Sequence, residues 1–368
     1  MSETRKNWTK EEILDIYNKP LMELIYEAST AHREHFDPLK IQVSKLISIK
    51  TGGCSEDCGY CPQAARYHTN IQKNDLMPVD EVLSKAEEAK KNGSSRVCMG
   101  AAWRNVQDGE DFEQVLKMVG GLSKMNMEVC CTLGMVTESQ AERLAEAGLH
   151  YYNHNLDTSE EYYKEVISTR GYSDRLKTLD NVRKSSLKVC SGGIIGMGES
   201  VDDRIGMLMG LQKLAQAPDS IPINALVPVE GTPLEEQEIV PVWDVVRMIA
   251  VTKLVFPKST VRLSAGRTQM TKEGQALCFM AGASSIFAGD KLLTTPNPGD
   301  NEDMQLFNVL GLTPSEKKKD NRGKVKIRKD KPVTSEDEKW SRPGHTIERN
   351  VAATEKGKAA RRALKEVK

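Results

Sequence analysis

Three cysteines close together carry the densest chemistry in the sequence. Thr51-Gly52-Gly53-Cys54-Ser55-Glu56-Asp57-Cys58-Gly59-Tyr60-Cys61-Pro62 spaces its thiols as C-x3-C-x2-C. Three thiolates on one loop can ligate three irons of a [4Fe–4S] cubane. The fourth iron then lacks a protein ligand, and an open coordination position is where a metal centre does chemistry. The alternative is a structural zinc site, which needs a fourth ligand; His68 would supply it as Cys3His. The glycine-rich approach and Tyr60, a flat side chain between two cysteines that can stack on a base, favour the cluster.

The remaining unusual residues fall inside short strand-like runs. Cys98, Cys130 and Cys190 each lie in a separate run, Asn153 and Asn155 share one, Asn224 lies in another, and Arg262 and Ser264 share a last one. Side chains alternate faces along a strand, so Asn153 and Asn155 point one way and His154 the other, as Arg262 and Ser264 share a face. In a closed barrel one face of each strand points inward, where the three cysteines and the arginine would converge. A barrel arginine is costly unless it meets negative charge, which a thiolate-ligated iron–sulfur cluster carries. A single buried cysteine is commonly just a small hydrophobe. Cys131, which faces away from Cys130, and Cys278, inside a helical pattern, are read that way.

Positioning these residues needs a regular scaffold. Residues 10–36 read as helical. Strand-like runs follow at 45–50, 95–100, 127–132, 150–155, 187–192, 222–227, 261–265 and 284–288, with helical patterns between them, for example 79–91, 137–147, 174–186, 200–215 and 241–254. Asp80 and Thr137 are expected to start helices, and Gly93 and Gly148 to end them. Every run but the last is followed by a helical one. Such alternation predicts an α/β fold with a parallel sheet and right-handed crossovers, and eight units predict a (β/α)8 TIM-type barrel. The expected organisation is an N-terminal helical extension (1–36), the barrel (37–314) and a basic tail (315–368).

The 368 residues carry no net charge, but unevenly: residues 316–368 hold 18 Lys/Arg against 9 Asp/Glu, so the body is acidic by as much as the tail is basic. The tail has no apolar periodicity until a short basic helical pattern at its end, and is expected to be disordered. No stretch approaches the roughly 20 apolar residues of a membrane span. The first residues lack the apolar core of a signal peptide and the acid-poor character of a transit peptide, which predicts a cytoplasmic protein. There, eight cysteines point to metal binding or catalysis rather than disulfides.

The C-x3-C-x2-C loop after a first strand resembles the radical S-adenosylmethionine (SAM) superfamily. Together with YYNHNLDT (151–158), KVCSGGIIGMGE (188–199), PINALVPVEGTPL (222–234), VRLSAGR (261–267), CFMAGASSIF (278–287) and LLTTPNPG (292–299), it is similar to the biotin synthase family, from about residue 10 to Pro314. The resemblance implies a sulfurtransferase that converts dethiobiotin to biotin. It implies a [4Fe–4S] cluster on Cys54, Cys58 and Cys61, and a [2Fe–2S] cluster on Cys98, Cys130, Cys190 and Arg262, arginine being an unusual ligand because it is normally a permanent cation. It implies SAM contacts at Tyr60, Asn155, Asp157, Arg175 and Ile194, with Asp157 on the ribose and Arg175 on the SAM carboxylate. Substrate contacts fall on Asn153, Asn155, Asn224, Thr294 and Thr295. The glycines of GGIIGMGE are expected to let the backbone approach SAM closely.

The implied reaction uses one electron to split SAM into methionine and a 5′-deoxyadenosyl radical, which takes hydrogen from dethiobiotin; sulfide from the [2Fe–2S] cluster quenches the carbon radical, and a second round closes the ring. A flavodoxin- or ferredoxin-type electron donor and a homodimer are implied as well, with neither membrane nor nucleic acid as partner. Two alternatives stand beside this reading. One is another radical SAM enzyme on the same barrel, lipoyl synthase-like or hydrogenase-maturation-like, although no second cysteine triplet of the lipoyl synthase kind is present. The other is a zinc-stabilised protein binding nucleic acid through its basic tail.

Overall fold

Proline cannot continue a helix, since it lacks the N–H and clashes with the preceding turn. Pro20 accordingly breaks the N-terminal helical stretch in two. The computed structural model describes residues 5–316, and its first elements are α1 (Lys10–Tyr17) and α2 (Leu21–His35). Thr9 starts α1 in a reciprocal capping box with Glu12.

Ten parallel strands follow: β1 (Lys40–Lys50), β2 (Arg96–Ala101), β3 (Glu128–Thr132), β4 (Tyr151–Asn153), β5 (Lys188–Cys190), β6 (Gly193–Ile195), β7 (Ser220–Ala225), β8 (Thr260–Leu263), β9 (Ala283–Ala288) and β10 (Thr313–Pro314). The ring runs β1-β2-β3-β4-β5-β7-β8-β9 and closes by pairing β9 with β1, from Gln42↔Ser285 to Lys45↔Ala288. This is the expected eight-stranded barrel. β10 adds to the outer end of β1.

The fifth expected strand, 187–192, is split. β5 pairs with β4, and after Ser191 and Gly192 the chain resumes as β6 against β7. A Cβ on Gly192 would lie 2.0 Å from the carbonyl oxygen of Pro222, so only glycine lets the two backbones cross this closely.

The helices between strands are α3 (Val79–Lys91), α4 (Glu110–Lys124), α5 (Glu138–Glu146), the short α6 (Tyr163–Val166), α7 (Tyr172–Lys184), α8 (Val201–Gln212), α9 (Val242–Val255), α10 (Lys272–Met280) and α11 (Asp300–Leu310). α1 packs on α8 and α9, and α2 on α9. Thr137 caps α5 in a box with Gln140, as expected. Asp80 does not cap α3: Pro78 stands at that position and Asp80 sits in the first turn, where its charge complements the helix dipole. α11 follows the last barrel strand, where the sequence pattern predicts no helix.

Strand alternation sorts the interior into two zones. Val97, Met99, Val129, Cys131, Val189, Val261 and Leu263 face the helices and join the main core, as does Cys278. Cys98, Cys130 and Tyr151 face the lumen and form a separate cluster with Leu46 and Phe287. Cys131 and Cys278 thus pack as small buried hydrophobes, as expected. From Lys317 onward the expected disordered tail lies outside the described residues. Among the described residues, no helix is long and apolar enough to cross a membrane.

Candidate functional site

β1 delivers the chain to the barrel mouth, where Gly52 and Gly53 both adopt φ +73° and turn it back over the rim. The cysteine loop then closes on itself. Cys54 N–H donates to the Gln63 carbonyl (2.9 Å), Ala65 N–H to that of Cys54 (2.7 Å) and Cys61 N–H to that of Cys58 (2.9 Å). Sequence reasoning missed what holds the loop down. Glu56 and Asp57 turn inward and are buried. The Asp57 carboxylate accepts from Ser168 N–H (2.9 Å), Thr169 N–H (3.1 Å), Thr169 Oγ1 (2.9 Å) and the Ser168 hydroxyl. Glu56 accepts from the Thr169 hydroxyl and faces Arg104 (3.7 Å) and Arg170 (3.8 Å). Gly59 N–H bonds the Val166 carbonyl at 2.9 Å. Residues 166–170 are thus the seat of the loop. The signal was an acidic pair between cysteines, which must find cationic or hydroxyl partners if buried.

Burial pushes the thiols of Cys54, Cys58 and Cys61 up, that of Cys61 to about 12. Such thiols give up their protons to a metal rather than to solvent.

Beneath the loop a cavity of about 250 Å³ occupies the barrel lumen. Tyr60 and Cys61 stand at its mouth. Asn153, Asn155, Asp157, Ile194 and Asn224 line its walls, and Cys98, Cys130 and Arg262 its depth. The loop after β9 brings Thr294 and Thr295 to the same cavity. With Ser264, thirteen sequence-selected residues therefore meet on one space. Four stand behind it: Cys54 and Cys58 in the loop, Arg175, and Cys190, which pairs in register with Asn153.

On one wall Asp157, at φ +70°, accepts from Tyr60 Oη (2.7 Å) and forms a buried ion pair with Arg175, whose Nε donates to Tyr163 Oη (2.8 Å). The residues expected to hold the ribose and the carboxylate of SAM thus hold each other. Asn224 Nδ2 donates to the Gly193 carbonyl (3.0 Å), and its Oδ1 accepts from Ala265 N–H (3.2 Å). The glycines of this segment also have a packing role of their own. A Cβ on Gly193 would lie 2.0 Å from Met207 Sδ and 2.5 Å from the Asp157 carbonyl oxygen, so this glycine serves chain-on-chain packing, and only Ile194 of the segment reaches the cavity.

At the floor Cys98 and Cys130 lie directly opposite in the ladder. The hydrogen bond shared with Cys130, with Arg262 and Arg96 close by, holds the Cys98 thiol below its ordinary range against burial, while the same bond and burial raise Cys130. Cys190 is raised by burial, with Arg262 opposing. Arg262 is buried against the Phe287 ring (4.4 Å). Arg96 Nη1 is buried with no hydrogen-bond partner among the described residues. Buried thiols, a buried arginine and an orphaned guanidinium N–H fit an anionic metal–sulfur group at this depth. Among the described residues no three His, Cys, Asp or Glu side chains meet closely enough for a single ion. His68 is exposed, so the Cys3His zinc alternative finds no geometric support.

Residues 48–210 match the Radical SAM superfamily and residues 222–313 the Biotin and Thiamin Synthesis associated domain. Proteins named biotin synthase are 65% identical over 357 residues in Christiangramia forsetii (96% of this chain, 98% of that one) and 63% identical over 364 residues in Flavobacterium johnsoniae (96% and 99%). One from Salmonella paratyphi B is 55% identical over 309 residues (84% and 89%). Solved structures of methylornithine synthase (18% identity, TM-score 0.70, 84% of this chain and 94% of that one) and of the [FeFe]-hydrogenase maturase HydG (19%, 0.70, 84% and 72%) share the barrel. With near-complete coverage at such identity, the chain belongs to the biotin synthase family of radical SAM proteins.

Proposed function

We propose that the chain converts dethiobiotin to biotin, with SAM as co-substrate, on two iron–sulfur clusters set at the two ends of one cavity. The observation that carries this reading is the cavity itself: the cysteine loop, through Cys61, at its mouth and two thiols with a buried arginine at its depth. Cys54, Cys58 and Cys61 would hold a [4Fe–4S] cluster, and Cys98, Cys130, Cys190 and Arg262 a [2Fe–2S] cluster. When bound, the clusters and SAM supply the electron, the hydrogen-abstracting radical and the sulfur.

The protein's own residues place and shield the reactants. Tyr60, Asn155, Asp157, Arg175 and Ile194 form the SAM wall. Asp157 and Arg175 already neutralise each other, so SAM enters an ion pair whose members it shares rather than two naked charges. Asn153 and Asn224 offer amides to the polar ring of dethiobiotin, and the Thr294 and Thr295 hydroxyls offer donors to its carboxylate. Leu46, Phe287 and Leu293 keep the space between apolar, which excludes water from a radical. An electron donor of flavodoxin or ferredoxin type, a homodimeric state and a cytoplasmic site of action complete the reading; the eight free thiols support a reducing compartment.

The test is anaerobic reconstitution followed by Mössbauer spectroscopy of the wild type and Cys98→Ala. The variant is expected to keep the cubane signal, lose the [2Fe–2S] signal and make no biotin. Spectra unchanged by the substitution would refute the assignment of the floor thiols.

A further inference from the structure

Below the floor thiols the strands bring six polar side chains into one buried layer. Register sets Arg96 opposite Glu128 and Ser44 opposite Arg96, while Ser285 pairs with both Gln42 and Arg262. All six are buried. Glu128 Oε2 accepts from Arg96 Nε (3.1 Å) and Nη2 (2.9 Å), and from Gln42 Nε2 (2.9 Å). With its amide nitrogen committed to a carboxylate, Gln42 must present its oxygen to the other side. There Oε1 accepts from Ser285 Oγ (3.2 Å) and Arg262 Nη2 (3.5 Å). Arg262 also donates from Nε to Ser285 Oγ (2.9 Å) and from Nη2 to Ser44 Oγ (3.3 Å).

We propose that Gln42 and Glu128 are positioning residues for Arg262: the Glu128–Arg96 pair orients the Gln42 amide, and that amide holds the Arg262 guanidinium toward the cavity. The inference rests on the [2Fe–2S] assignment above. The chain of bonds has a fixed direction, because a carboxylate only accepts and a guanidinium only donates, which leaves the amide one orientation. The layer also has a definite charge. Two arginines face one carboxylate, so one positive charge is left for the thiolates and whatever they bind. Glu128 therefore sets the field at the floor as well as the geometry, and field is one of the means by which a protein tunes an iron–sulfur potential.

Opposite charge changes give opposite outcomes. Glu128→Gln leaves both arginines without a carboxylate, and Gln42→Glu gives each arginine one. The reduction potential of the [2Fe–2S] cluster, read by spectroelectrochemistry on the reconstituted protein, is expected to rise in Glu128→Gln and fall in Gln42→Glu. Gln42→Met keeps the side-chain length but none of the three hydrogen bonds, the one to Arg262 included. It is expected to alter the Mössbauer parameters of the [2Fe–2S] cluster and to speed its loss to a chelator about tenfold, the effect of one hydrogen bond to a charged group. In every variant the [4Fe–4S] signal serves as the folding control. A wild type without a [2Fe–2S] cluster would sink the underlying assignment. A wild type with one, whose potential does not move in the stated order and whose loss rate in Gln42→Met is unchanged, would overturn this inference alone. If Gln42→Met fails to fold, the two charge variants decide.

Discussion

Asp57 shows what a single side chain does for the thiol loop. It lies between two candidate ligands, is buried, and accepts hydrogen bonds from two backbone and two hydroxyl donors more than a hundred residues away in sequence. Its carboxyl pKa lies below the ordinary range because those bonds outweigh burial, which alone would raise it. Asp57→Asn replaces an all-acceptor group by one that must turn two donors toward donors. The expected cost is about 3 kcal/mol of stability, with most of the iron bound by the reconstituted loop lost during gel filtration. A variant that melts like the wild type and retains its full iron would contradict this. The cysteine spacing was readable because ligand geometry is written in adjacent residues. The role of Asp57 was not, since its partners come from another barrel loop.

At the scale of elements, strands rich in β-branched and sulfur residues between amphipathic helices were legible from periodicity alone. The split between β5 and β6 was not, because it follows from the approach of Gly192 to Pro222, a contact between strands. Nor was the anchoring of α2. His32 on that helix is buried, stacks on Phe36 (5.1 Å) and lies near Lys253, whose ammonium sits 4.2 Å from the Phe36 ring centre. Burial, then Lys253 and Arg33, lower the His32 pKa from 6.5 to about 4. The fold thus favours neutral His32. This stabilisation is complete above about pH 6.5 and is lost as pH falls toward 4, by at most about 3 kcal/mol. His32→Gln should flatten the stability–pH curve over that window, measured by urea unfolding at a series of pH values. Parallel curves for the two proteins would show that His32 titrates alike in folded and unfolded chains.

The whole molecule divides its acid and base between body and tail. The motifs that carry the family resemblance end at about Pro314, and the relatives extend it. Alignment to the Christiangramia forsetii protein covers 96% of the chain, which runs well past residue 316, whereas the Salmonella protein aligns over 84%. Some family members therefore share much of the tail and others align without most of it. The barrel was legible as a whole because eight repeats of one unit leave few other ways to bury eight apolar strands. What the pattern lacked was depth. It gave inward-facing residues but not their order from mouth to floor, which the register of β1, β2, β3 and β8 supplies.

That order, a thiol loop above the cavity and a second set of thiols below it, makes the proposed function testable in its products. Under a strong reductant without oxygen, a single turnover with SAM and dethiobiotin can be quenched and assayed for 5′-deoxyadenosine and biotin together. The wild type should yield both, Cys58→Ala neither, and Cys98→Ala 5′-deoxyadenosine without biotin. Biotin formed by the Cys98→Ala protein, or no SAM cleavage by the wild type, would contradict the two-site account.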